Sequence, residues 1–236
     1  MKVTLTQKPR NVTIIEGFPG FGLVGTITTE FLIKHLNAKP IGEIASDKLL
    51  PVAAVHNAEI IEPIGIYYDK THSLVIIHVL SGVQGLEWQL SKKIMELAKL
   101  LNAKEIVSIE GIGSAEKTTR GFFYTKNKER KKHFEKIGLT QLKEGIVMGV
   151  TGALLLRANI TTSCIFVESH VSIADSKAAA KIVEILDKYM NLNIDYKPLL
   201  KTAEEFETKL KTMIEKGKQA PSQHTLHTNQ ALNYMG

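Results

Sequence analysis

Apolar residues recur along this chain in two rhythms. Short runs rich in Val and Ile alternate with stretches whose apolar positions return every three or four residues, the marks of strand and helix. The strand-like runs fall at residues 11–15, 41–45, 52–61, 64–68, 74–80, 105–110, 122–124 and 162–168. Helical periodicity covers 24–36, 86–101, 128–137, 145–156 and 176–189. In the second of these, Leu86, Leu90, Ile94, Leu97 and Leu101 form one apolar stripe that Asn102 ends. Asp69-Lys70-Thr71-His72 separates two strand runs as a hairpin turn would. Gly138 closes the third helix. The stretch 145–156 is glycine-punctuated and apolar on nearly every side, which predicts a buried helix with close backbone approach.

The pattern changes at Pro198. Thr202-x-x-Glu205 is a capping box, and Leu199, Ala203, Phe206, Leu210 and Met213 step by four and three along one narrow seam. Such a seam suits packing on the domain or on a neighbouring subunit. After Gly217 the chain is polar and weakly hydrophobic, too poor in apolar residues to order itself alone, until it ends in Leu232-Asn233-Tyr234-Met235-Gly236. The expected organisation is one α/β domain over 1–196, an amphipathic helix over 197–217 and a flexible tail over 218–236.

Composition narrows the function. The formal charge is +6, but acids are interleaved with bases almost everywhere, so the surface reads as solvated rather than as a nucleic-acid face. The sharpest basic cluster is Lys126, Lys128, Arg130, Lys131 and Lys132, suited to phosphate or to an acidic partner and without interleaved stacking aromatics. Cys164 is the one cysteine and lies in an apolar run, where it reads as a small buried hydrophobe. No stretch reads as a signal peptide or as a span of ~18 apolar residues, so a cytosolic protein without membrane contact is expected.

Two features carry candidate chemistry. The first is the loop Gly17-Phe18-Pro19-Gly20-Phe21-Gly22-Leu23-Val24-Gly25, after a strand and before a helix. Gly20-x-Gly22-x-x-Gly25 fits the dinucleotide fingerprint, with Glu43 standing about 20 residues on as the ribose-binding acid would. Pro19 removes a donor, and Phe18 and Phe21 crowd the backbone. The loop is therefore read as a close-packed strand-to-helix turn in which Gly17, Gly20, Gly22 and Gly25 are structural. The second is the pair Glu16 and Glu110, each ending a strand run just before a glycine. Two acids there could do acid–base work or bind a metal; the preferred reading has each accepting N–H bonds from its own turn. Ser169 and His170 are neighbours on a strand and so face opposite ways, which rules them out as a direct catalytic pair while extended. His224 and His227 lie in the tail and make a poor metal site. No catalytic residue, metal or cofactor is expected.

The glycine loop, the later Gly145-x-x-x-Gly149-x-x-Gly152-Ala153-Leu154-Leu155 block, the Cys164-Ile165-Phe166-Val167-Glu168 strand and Asp175-Ser176-Lys177-Ala178-Ala179 opening a helix together resemble the PAC2 family of proteasome assembly chaperones. Asp195 and Leu199 continue the pattern, and the resemblance covers roughly residues 10–215. It implies a three-layer α/β/α sandwich of the phosphorylase/hydrolase-like kind around a mixed sheet. It also implies a non-enzymatic homo-oligomer that binds proteasome α-subunits or the α-ring. In the family a C-terminal hydrophobic–Tyr–any tripeptide inserts between α-subunits. Here Tyr234 stands one place further in, so Leu232, Tyr234 and Met235 are the corresponding anchors. Phe206, Leu210 and Met213, with Leu199, are the expected contacts of the oligomer or partner helix. The alternative is an enzyme acting on a nucleotide or nucleoside through the glycine loop, or an interaction module unrelated to proteasomes.

Overall fold

A computed structural model describes residues 1–51, 54–56, 59–114, 119–169 and 174–201. Among the described residues, eleven strands and five helices follow in the order β1 (Lys2–Leu5), β2 (Thr13–Gly17), α1 (Val24–His35), β3 (Lys39–Ala45), β4 (Ala54–His56), β5 (Glu59–Ile61), β6 (Ile64–Asp69), β7 (Leu74–Val79), α2 (Glu87–Leu100), β8 (Glu105–Gly113), β9 (Gly121–Thr125), α3 (Lys128–Lys136), β10 (Thr140–Gln141), α4 (Gly149–Arg157), β11 (Thr162–Ser169) and α5 (Ser176–Met190), and residues 197–201 are again helical where the described chain ends. Nine strands form one mixed sheet in the order β1-β3-β6-β7-β2-β8-β11-β9-β10. Its centre, β7-β2-β8-β11, is parallel, and antiparallel pairs flank it. β4 and β5 make a separate hairpin.

Period-two alternation divides the central strands between two cores. Ile15, Val107, Ile109, Ile165 and Val167 pack with α1, α3 and α5. Ile14, Ile106, Val75 and Ile77 pack on the other face with α2 and α4. The chain is thus an α/β/α sandwich with a mixed sheet, the expected fold class. The β2, β8 and β11 strands are buried on both faces, as parallel strands covered by helices must be. On the first face Phe134 stacks between Phe123 and Tyr189, at centroid distances of 4.9 and 4.2 Å. Left-handed asparagines end three helices: Asn37, Asn102 and Asn191 all have positive φ.

Three expectations need correction. α4 begins at Gly149, not at 145, and residues 145–148 are irregular. Nor is that stretch buried throughout: Ile146 is 91% exposed and Leu156 74% exposed. The reason is local. A Cβ at Gly152 would meet the Val147 carbonyl at 2.6 Å, so the incoming loop lies flat on α4 and turns its side chains outward. Third, β1 and β10 add edge strands that the hydrophobic pattern did not predict. The segment Ala203, Phe206, Leu210, Met213 and the tail with Leu232, Tyr234 and Met235 lie outside the described residues, as do His170, His224 and His227.

Phe134→Ala removes the middle ring of a fully buried stack. It should cost about 3–5 kcal/mol in urea unfolding, whereas Leu50→Ala at an exposed loop position should change stability by less than about 0.5 kcal/mol.

Candidate functional site

The carboxyl ends of the parallel strands are where an open α/β sheet places a ligand site. Here the glycine loop fills that position with its own backbone. A side chain on Gly17 would collide with the Gly25 carbonyl, and one on Gly25 would come within 3.0 Å of Gly17, Phe18 and Ile109 backbone atoms. Gly111 has no room either, because the Phe21 carbonyl occupies the place of its Cβ. Strand β2 and helix α1 therefore touch backbone to backbone, next to β8. Between them, residues 21–23 form a single 3₁₀ turn. Gly22 and Leu23 both have left-handed backbones, with φ of 66° and 50°. For Leu23 that conformation is strained by about 1 kcal/mol. It is held by hydrogen bonds from Leu23 N–H to the Gly20 carbonyl at 3.0 Å and from Asp175 N–H to the Gly22 carbonyl at 2.8 Å. Gly20 is the exception: it is extended, and a Cβ there would find its nearest neighbour at 3.9 Å.

Asp175 does three things at this point. Besides its N–H bond to the loop, it caps α5 by accepting from Ala178 N–H at 2.9 Å. Its other carboxylate oxygen accepts from Ser169 Oγ at 2.6 Å. Ser169 is thus committed to a structural bond. Glu43, the acid at the ribose distance, sits on β3, and β6 and β7 separate it from β2.

Beneath the loop lies a polar cluster on the α4 side of the sheet. Register places Glu16 of β2 beside Ser108 of β8, and Ser108 beside Cys164 of β11. Glu110 stands two residues above Ser108 on the same face. Helix α4 brings Thr151 over them. Glu16 is fully buried. The hydroxyls of Ser108 and Thr151 face its carboxyl and oppose the rise in its pKa, yet neither completes a hydrogen bond to it. This corrects the preferred reading of Glu16 as an acceptor of turn N–H groups: neither of its oxygens has a partner among the described residues. Burial, with a smaller push from Glu110, raises Glu16 to about 8. Burial raises Glu110 to about 7. Cys164 is buried beside them, and burial and the two carboxyls push its thiol well up, away from the reactive thiolate. Higher on β11, the Arg120 side chain grips Glu168 with two nitrogens, at 2.9 and 2.6 Å, and lowers its pKa. No three His, Cys, Asp or Glu side chains among the described residues are grouped to hold a metal ion.

The remaining predicted residues are scattered. Leu199 is 7% exposed and packs into the α1–α3–α5 core. In the basic cluster, Arg130 turns inward to Glu105 at 3.1 Å, while Lys126, Lys128 and Lys132 are exposed. No described helix is long and apolar enough to cross a membrane.

The comparisons with known proteins agree with this architecture. A family model described as the PAC2 family matches residues 14–214. The Methanocaldococcus jannaschii protein MJ0106 is 30% identical over 213 residues, covering 87% of this chain and 86% of its own. A crystal structure of Pyrococcus furiosus PbaA, described as an archaeal homolog of proteasome-assembly chaperone, superposes with a TM-score of 0.83 at 31% identity, over 92% of this chain and 93% of that one. Pyrococcus furiosus PbaB, described as an archaeal proteasome activator, shares the fold with a TM-score of 0.75 at 23% identity, over 90% of this chain and 98% of its own.

Two predictions follow from the geometry. Gly25→Ala should destabilise the protein by about 1–3 kcal/mol through overpacking, while Gly20→Ala should be tolerated within about 1 kcal/mol; urea denaturation compares them. The second concerns pH. Folded Glu16 keeps its proton to about pH 8, whereas the unfolded chain loses it near the ordinary value of 4.5, so the folded state binds more protons in between. Stability should therefore fall as pH rises through that window, by up to about 1.4 kcal/mol per pH unit for this group. Glu16→Gln should flatten the dependence and exceed the parent's melting temperature at pH 8.

Proposed function

This chain belongs to the PAC2 family, and on that premise we propose that it is a non-enzymatic, homo-oligomeric chaperone of proteasome assembly that binds proteasome α-subunits or the α-ring in the cytoplasm. The observation that carries the reading is the likeness to PbaA, which spans nearly the whole of both chains. The site supports binding rather than chemistry. The glycine loop is occupied by its own backbone, Ser169 is tied to Asp175, and Cys164 is buried with a raised pKa. The reading needs no catalytic residue, metal, cofactor or nucleic acid.

The mechanism is mass action. A factor that binds α-subunits in their assembled arrangement lowers the free energy of that intermediate by its binding energy. The 1–196 domain supplies the surface, the 197–217 segment contacts the domain or a neighbouring subunit, and the 218–236 tail docks through Leu232, Tyr234 and Met235. The tethered tail acts at high effective concentration, so a weak second contact multiplies affinity.

Full-length protein should co-purify with proteasome α-subunits, and a form cut after Lys218 should bind at least tenfold more weakly. Binding by neither form overturns the proposal, and equal binding by both overturns tail docking alone. A saturable thermal shift with nucleosides, abolished by Gly22→Val, would favour the enzyme reading instead.

A further inference from the structure

Among the described residues the two faces of the sheet are unequally covered. α1, α3 and α5 lie on one face, and α2 and α4 on the other. The shortfall falls over β9. Tyr124 pairs with Cys164 and so points to the α4 side, where no helix among the described residues covers it. The result is a groove of about 330 Å³ between β9, the 142–147 loop and α4. Tyr124, Leu142, Val147 and Leu155 give it an apolar lining. Lys126 and Lys143 stand at its rim against a single acid, Glu144. Lys128 and Lys132, both exposed, lie on α3 in the other helical layer and take no part in the groove. Beside the groove three large apolar side chains face outward: Ile146, Met148, which is 75% exposed, and Leu156. The Gly152–Val147 approach fixes them there, so folding does not hide them.

The chain carries a segment of matching chemistry. Residues 203–208 read Ala-Glu-Glu-Phe-Glu-Thr, with Phe206 flanked by Glu204, Glu205 and Glu207 and no base before Lys209. Phe206, Leu210 and Met213 continue one apolar seam. An aromatic anchor among acids complements an apolar groove rimmed by lysines.

Its own groove is out of reach for a helical segment. Leu199 is packed in the α1–α3–α5 layer, on the opposite side of the sheet from the groove. Seven helical residues, from Leu199 to Phe206, advance only about 10 Å. Crossing from one helical layer to the other takes on the order of 20 Å.

We propose that the β9–α4 groove receives the 202–217 segment of a second copy of this chain, with Phe206 in the apolar lining and Glu204, Glu205 and Glu207 against Lys126 and Lys143. The proposal rests on the homo-oligomeric reading above and names both halves of its contact. Lys126 and Lys143 then have partners, and so do Ile146, Met148 and Leu156.

Light scattering on the full chain over a concentration series, with four variants, tests it. Leu156→Glu and Phe206→Glu should each weaken association at least tenfold. Lys126→Glu with Lys143→Glu should do the same, and adding Glu204→Lys with Glu207→Lys should restore association to within threefold of the parent. Mixing a Leu156→Cys chain with a Phe206→Cys chain under mild oxidation should give a disulfide-linked heterodimer. An oligomer insensitive to the Leu156 and lysine substitutions, or one that the charge exchange fails to restore, overturns the groove proposal and leaves self-association standing. A parent that stays monomeric at every concentration overturns self-association itself. A disulfide formed only within a doubly substituted chain, and never between the mixed single variants, overturns the second copy as occupant.

Discussion

The contact between the backbone of β2 and the backbone of α1 is the constraint around which the rest is arranged. Gly17 and Gly25 meet with no atom to spare, and the Phe21 carbonyl sits against Gly111 of the neighbouring strand. Side chains at these places would push the first helix off the sheet. Because they are absent, α1 lies close enough to pack with α5, and the intervening turn is bent into two left-handed residues. That bend leaves the Gly22 carbonyl free for the Asp175 N–H, and Asp175 in turn caps α5. One close approach thus aligns α1, α5 and strands β2, β8 and β11.

The same arrangement decides what happens to Glu16. Since β2 runs on to Gly17, Glu16 is held in register inside the sheet, beside Ser108, rather than freed at a strand end. Its side chain has to enter the α4 side, where it is shut away from water with no hydrogen bond. A buried carboxyl in that position is cheapest when neutral. The cluster of Glu16, Glu110 and Cys164 is therefore a place of stored cost in the core, beneath a glycine loop whose Gly17, Gly22 and Gly25 have no room for a side chain.

Much of this was legible in the residues. The stripes of α2 and α5 and the asparagine after Leu101 predicted their elements to within a residue or two, because each buries a long periodic face, whereas β8 runs three residues past its predicted end and the run at 52–61 contains two strands, β4 and β5. The edge strands β1 and β10 were not legible: four and two residues are too few to show a period. The start of α4 was misplaced because Gly145 to Met148 are as apolar as the helix that follows, and only the tertiary contact at Gly152 tells the two apart. Spacing alone matched Gly20, Gly22 and Gly25 to a nucleotide fingerprint. Spacing does not say whether the space beside a glycine is open to a ligand or filled by the chain itself. Glu43 illustrates the same limit, since sequence distance placed it near the loop and strand order placed it on the far side of β6 and β7.

Among the described residues, a sheet of nine strands covered by three helices on one face and two on the other leaves apolar surface that none of them buries. On the α1–α3–α5 side the account closes, down to the stacked rings of Phe123, Phe134 and Tyr189. On the α4 side it does not, and Ile146, Met148 and Leu156 stay in water. Contiguous exposed apolar side chains beside a groove mark an interaction surface more often than a defect of folding. Ile146, Met148 and Leu156 are the most exposed large apolar side chains among the described residues, so a second protein seated on that margin would gain their burial.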